Sequence, residues 1–467
     1  MPNPSDMTAC LAKLKSVLPA KSWSEDGAVI GPHLLEWRDK YNGHTPILLL
    51  PENTQEVSLC VKICAAYKIP IMPQGGNTGL VGGNTPRGEI LLCAKRLNTI
   101  HSVNAADNIM VVGAGVTLLE AQMAAQKAGR KFPLSLASEG SCTIGGNLAT
   151  NAGGVHVIKY GSAKNLAVGV KAVLPDGKVF NGITALKKDN TGYDLSRLFM
   201  GSEGTLGIIT AVSLKLFPKP SRTLRAMVAL NTPQNALTLL GRCHSPALTM
   251  FELMPRIGIE AVTQNMAGHT DPFDNPSPWY GLIDWEYFGD EDGANAVEKL
   301  LASALEDGLI TDAVIAQNDS QAARLLALRE HMSAAQKTLG ASIKHDISVP
   351  VSKVAQFIDR AQSAVLAINP HCRPFTFGHM GDGNIHFNVT APIGADRENF
   401  LKQWDIFQAA VHDVVDALGG SISAEHGIGI MKRADLHERA DPVKLELLRA
   451  VKMALDPDNI MNPRVLI

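Results

Sequence analysis

The placement of the glycines constrains this chain more than any other feature. Of the 41 glycines, five fall in the eleven residues PQGGNTGLVGG (73–83) and five in SEGSCTIGGNLATNAGG (138–154). A third cluster, GSEGTLGIIT (201–210), runs directly into strand-like sequence. Glycine tolerates positive backbone dihedrals and lets main-chain N–H groups come close to a ligand, so successive amides can converge on a pyrophosphate. None of the three is G-x-G-x-x-G opening a helix in a βαβ unit, which disfavours a Rossmann dinucleotide site. Three such loops in one α/β unit predict a large polar cofactor gripped along its length by main-chain donors.

Around these loops the chain reads as two α/β-containing stretches. At 467 residues it is long enough for two or three structural units with a large core, without disulfides. From about 45 to 218, short apolar runs alternate with the glycine loops. ILLLPENT reads as a buried strand and Thr54 opens a helix. NIMVVGAGV is strand-like, and Thr117 with Glu120 forms a capping box closed by Gly129. From about 222 to 415 strands alternate with longer helices, including SQAARLLALREHMSAAQKTLG as one helix and strands around RPFTFGHMGDGNIHFNVT. FPKPSR (217–222) is the expected linker, and the last fifty residues return to glycine-rich loops.

Composition removes several classes. With 43 basic and 45 acidic residues, a net charge of −2, neither nucleic-acid binding by bulk positive field nor an acidic tail protein fits. No apolar run reaches the ~18 residues of a membrane span, and MPNPSDMTACLAKLKSV lacks the basic and apolar segments of a signal peptide, so a cytoplasmic location is expected. The seven cysteines (10, 60, 64, 93, 142, 243, 372) include no C-x-x-C pair and are expected as buried reduced thiols.

Taken together, PQGGNTGLVGG, SEGSCTIGGNLATNAGG, GSEGTLGIIT, FGHMGDGNIHFNV, SAEHGIGIMKR and LDPDNIMNPRVL resemble the FAD-linked D-2-hydroxyacid dehydrogenases of the vanillyl-alcohol-oxidase flavoprotein superfamily. The likeness runs through nearly the whole chain in the family's order. It implies an α+β protein: a two-lobed FAD-binding domain (1–218), a cap domain with an antiparallel sheet (219–415), and a C-terminal segment returning to the flavin (416–467). It further implies that Gly75, Gly76, Asn77, Thr78 and Gly79 hold the FAD pyrophosphate. Gly140, Ser141, Gly145, Gly146, Asn147 and Thr150 would continue that grip, with Gly204 and Ile209 near the adenine and Asn462 in the returning segment. SEGSCTIGG contains no histidine, so the FAD is expected to be noncovalent. The family's closing Asn-Pro-Gly is Asn462-Pro463-Arg464 here.

A second constellation suggests a metal. His379 and His386 stand seven apart around a Gly-Asp-Gly turn and can face each other across a hairpin, and Glu425-His426 lies in SAEHG. Two neutral imidazoles and a carboxylate suit zinc or another divalent ion with an open position. By resemblance, His379, His386 and Glu425 are the metal ligands and His426 the base, with Asp382 and Asn388 beside them as supporting or substrate groups. The resemblance also implies that Arg329, Ser333 and Lys344 hold the distal carboxylate of D-2-hydroxyglutarate. D-Lactate, D-malate or glycolate remain alternatives, as do a metal-dependent hydrolase of a phosphorylated substrate and an electron-relay subunit. An electron-transfer flavoprotein, quinone or dye is the expected acceptor, and a homodimer the expected assembly.

Overall fold

A computed structural model describes residues 3–467. It divides into two compact units: Met1–Gly153 with Gly161–Lys219 and Glu425–Ile467, and Gly154–Tyr160 with Pro220–Ala424.

The first unit contains two principal sheets. The smaller orders its strands Trp23–Ser24, Leu48–Leu49, Ile90–Cys93 and Ile71–Gln74, and the last three run parallel. The larger is antiparallel throughout, in the order Ile100–Asn104, Ile109–Gly113, Ile208–Lys215, Ala167–Val173 and Val179–Asn181. Helix Thr54–Ala66 is capped by the Asn53 side chain, which accepts from Glu56 N–H, and buries Val57, Cys60, Val61 and Cys64 at helical spacing. Helix Leu118–Lys127 starts in the Thr117/Glu120 capping box, and Gly129 follows it at φ +67°. All seven cysteines are free and buried. Among the described residues no helix is long and apolar enough to cross a membrane.

Three local expectations need correcting. The strand expected across ILLLPENT shrinks to Leu48–Leu49, because Pro51 and the cap at Asn53 end it. The glycine block at 138–154 is not loop throughout: Ile144–Ala149 is a short helix capped by the Thr143 hydroxyl. The single helix expected from 320 to 340 breaks into Asp319–Glu330, Met332–Ala335 and a 3-10 turn at Gln336–Leu339.

The second unit is built on one seven-stranded antiparallel sheet. Its order is Asp312–Ile315, Arg222–Leu230, Trp279–Tyr287, Leu248–Pro255, Arg373–His379, Asn384–Thr390 and Ser342–Ser348. Period-two alternation separates its two faces. Ile343, Ile347, Ile385, Phe387 and Val389 pack into a core with Phe357 and Val365 of helix Val354–Ile368 and Val411 and Val415 of helix Trp404–Ala417. Met250, Met254, Phe375 and Phe377 pack on the other side with Ile259, Leu325, Leu328 and Met332.

Candidate active site

The candidate polar residues on the central strands of the second unit share this second face, and strand register is the reason. Cross-strand partners in an antiparallel sheet project to the same side. Glu252 pairs with His379, and His379 with Asn384. Phe377 pairs with His386, His386 with Asp346, and Asn388 with Lys344. A strip of polar side chains therefore crosses four strands on a face otherwise lined with Met and Phe. The hairpin joining His379 to Asn384 needs Gly383 at φ +84°, where a Cβ would lie 2.1 Å from the Val349 carbonyl oxygen. His379 and His386 become diagonal neighbours, ring centroids 5.5 Å apart and edge to face. His386 Nδ1 lies 3.8 Å from Asp346 Oδ1, which also accepts from Asn384 Nδ2 at 2.9 Å.

Glu252 is the most deeply buried member, with no exposed surface. It accepts from His379 Nδ1 at one oxygen and from Arg329 Nε at the other. Burial alone would raise its pKa, but the Arg329 and His379 charges outweigh burial and hold it down at about 2. The Arg329 guanidinium lies over the Phe377 ring, 4.7 Å from its centroid. Asp382 is driven the other way, to about 6. Burial is the main cause; the charge on His379 opposes it, and those on Glu252 and Asp346 add to it. Asn388 Nδ2 donates to Gln336 Oε1 at 2.9 Å, so this amide is braced by the 3-10 turn. Ser333 lies beyond the break at His331, in the short helix Met332–Ala335, partly exposed, and Lys344 is half-buried on the edge strand.

In the first unit the three glycine segments pack against one another. A Cβ on Gly76 would lie 2.0 Å from the Ser141 carbonyl oxygen, and one on Gly75 2.4 Å from Thr143 Oγ1. One on Gly145 would meet Ala114 Cβ at 2.6 Å; Gly204, at φ +74°, is closed in by Pro73 at 2.4 Å. Many of these glycines thus serve contact between protein segments. Around Gly140, by contrast, nothing lies within 4 Å of a built Cβ. Asn77 (φ +61°) has its side chain engaged: Nδ2 donates to the Pro32 and Leu35 carbonyls, and Oδ1 accepts from Gln74 and Asn84. Only its main chain remains for a phosphate. Thr150 Oγ1 bonds Gly146 O, Asn147 Nδ2 bonds Cys142 Sγ, and Ile209 is buried in its strand. Asn462 Nδ2 ties the returning C-terminal segment to the carbonyls of Gly83 and Glu203.

The same unit carries Glu425 and His426, with His426 Nε2 3.6 Å from Glu425 Oε1. Gly153 gives Glu425 room, since a Cβ there would lie 2.8 Å from Oε2. The next turn is held by Glu203, which accepts from Ile428 N–H and Gly429 N–H, both at 2.8 Å; burial raises its pKa despite those two bonds. Arg464 forms a two-bond pair with Glu89 and also donates to the Thr85 carbonyl.

Glu252 and Asp346 were not assigned from sequence. Glu252 had a signal: it is the one charge in the otherwise uncharged strand LTMFELMP. Asp346 became legible only through register.

These residues suit the groups the sequence implied. Asn84 Oδ1, Thr85 Oγ1 and Asn462 Oδ1 are buried acceptors with no protein partner, which hydroxyl and amino donors of a flavin nucleotide would satisfy. The imidazole and carboxylate donors suit a divalent ion.

The fold is that of the vanillyl-alcohol-oxidase flavoproteins: p-cresol methylhydroxylase with substrate bound superposes with a TM-score of 0.77, at 17% identity, over 99% of this chain and 97% of that one. Residues 219–466 match the model of the FAD linked oxidases, C-terminal domain, and residues 45–182 that of an FAD binding domain. The mitochondrial D-2-hydroxyglutarate dehydrogenase of Bos taurus is 36% identical over 463 residues, 97% of this chain and 82% of the relative. The D-2-hydroxyglutarate dehydrogenase of Xanthomonas citri is 32% identical over 455 residues, 97% and 96% of the two chains. The chain belongs to the FAD-linked D-2-hydroxyacid dehydrogenase family and is an FAD-dependent oxidoreductase.

Proposed function

We propose that the protein oxidises D-2-hydroxyglutarate to 2-oxoglutarate, with noncovalent FAD and a divalent ion, zinc in the first instance. The observation that carries this reading is the polar strip of the second unit, which combines imidazoles and carboxylates suited to an ion with cationic groups suited to a second anion. His379, His386 and Glu425 are the proposed ligands. When bound, the ion would supply Lewis acidity toward the substrate hydroxyl and the FAD would supply the two-electron acceptor for the hydrogen on the α-carbon.

The protein's own groups do the remaining work. Arg329 Nη groups, Ser333 and Lys344 hold the distal carboxylate, and Asn388 Oδ1 is oriented by the bond from its amide to Gln336. His426 accepts the hydroxyl proton, so that one hydride and one proton leave the substrate together as two electrons and two protons. Electrons then pass to an electron-transfer flavoprotein, a quinone or a dye.

Anaerobic mixing of the purified protein with D- and L-2-hydroxy acids, followed by flavin absorbance, tests the reading. D-2-Hydroxyglutarate should bleach the flavin at lower concentration than D-lactate, and a chelator should abolish the effect. Equal response to D-lactate and D-2-hydroxyglutarate would sink the substrate assignment, and indifference to chelation would sink the metal.

A further inference from the structure

We propose that Glu252 is a positioning residue that ties metal ligation to substrate selection, by setting the tautomer of His379 with one oxygen and the orientation of Arg329 with the other. The proposal rests on the metal and substrate roles given above. Glu252 sits mid-way along the buried strand Leu248–Pro255, between Met250, Leu253 and Met254. A carboxylate in such a place is costly unless its lone pairs are matched, and here each oxygen has a different partner.

Consider His379 first. An ionised carboxylate can only accept, so Nδ1 of His379 carries a proton, and in the neutral ring that ligation requires the lone pair resides on Nε2. Ligation is thereby assigned to Nε2, and the carboxylate behind the ring raises its basicity toward a cation. At Arg329, fixing Nε while the guanidinium carbon sits over the Phe377 ring defines the direction of the remaining edge. That edge carries the two Nη groups, the fork that receives a carboxylate with parallel bonds. One buried side chain thus serves both ends of the proposed substrate.

Glutamine is the diagnostic replacement, because it has one acceptor and one donor where two acceptors are needed. With its oxygen toward His379, its NH₂ faces the Arg329 Nε–H, donor against donor. With its NH₂ toward His379, the ring proton moves to Nε2 and ligation there is lost.

The test uses the full-length FAD-loaded protein. Zinc affinity, measured by competition with a chromophoric chelator, should fall about 10–100-fold in Glu252→Gln. FAD content should be unchanged, and KM should rise more for D-2-hydroxyglutarate than for D-lactate. The double variant Glu252→Gln/Arg329→Met removes both buried charges together and guards against a folding defect. Its zinc affinity should remain below that of Arg329→Met alone, which keeps the Glu252–His379 bond. Equal zinc affinity with and without Glu252 overturns the proposal. Failure of the wild type to bind zinc overturns the metal reading, and this proposal with it; wild-type zinc binding is the measurement that tells the two failures apart.

Discussion

The glycine segments of the first unit and the polar strip of the second work in opposite ways. At Gly75, Gly76, Gly145 and Gly204 what matters is an absent side chain, because each lies against another piece of the protein at a distance no Cβ tolerates. At Glu252, His379, His386 and Asp346 what matters is a present one, placed by strand register on a shared face. A site built on absences should fail through backbone shape and loss of the nucleotide. A site built on side chains should keep the nucleotide and lose chemistry.

The largest effects should come from the side-chain regions. His386→Ala, which removes a proposed metal ligand, is expected to retain FAD while flavin reduction falls on the order of a thousandfold, the several kcal/mol a Lewis acid would supply. His426→Asn should also retain FAD and lose roughly 10²–10⁴-fold, the usual contribution of a general base. Anaerobic stopped-flow on the yellow proteins measures both. Loss of flavin from His386→Ala would break the contrast, and undiminished reduction in His426→Asn would remove the base role proposed for it.

Gly76→Ala comes next. Its Cβ meets a main-chain oxygen that cannot swing aside, so about 1–3 kcal/mol of overpacking and a lower FAD content are expected. Gly140→Ala, with open space around it, should change neither thermal midpoint nor flavin content. If Gly140→Ala also loses FAD, the cofactor rather than protein packing demands glycine there, which would sharpen the comparison.

The smallest effect concerns the pair between Arg464 and Glu89. Burial would raise the Glu89 pKa, but the bonds from Arg464 and from the main chain outweigh it and leave the carboxyl below its ordinary value. Unfolding returns it to about 4.3. The folded state gains stability above that value and loses it as pH falls through the lowered folded one. Arg464→Gly should therefore reduce stability by about 1 kcal/mol at neutral pH and flatten the acid limb of a midpoint-against-pH curve. An acid limb that coincides with the wild type's would show that the pair contributes nothing.

Much of the fold was legible because local chemistry agreed with it. The cap at Thr117/Glu120, the helix opening at Thr54 and the hairpin at Gly381-Asp382-Gly383 each follow from a few neighbouring residues. Where neighbours did not suffice, the reading slipped. Helical periodicity continued past His331, yet the chain breaks there and again at Gln336, whose side chain bonds Thr390 and Asn388 from distant sequence. Nothing in residues 154–160 shows that they group with the second unit, where Tyr160 donates to Glu286 at 2.5 Å.

The residue types, their order and the three glycine clusters thus determined by themselves the family, the flavin and a proposed set of ligands, because those depend on motifs read in a single stretch of chain. Only the tertiary structure decided which glycines answer to protein contacts, that the Asn77 side chain is already engaged, and that Glu252 reaches His379 and Arg329 across 127 and 77 positions of sequence. The physical reason is register: pairing strands far apart in the chain selects which side chains share a face, and no local pattern encodes that choice.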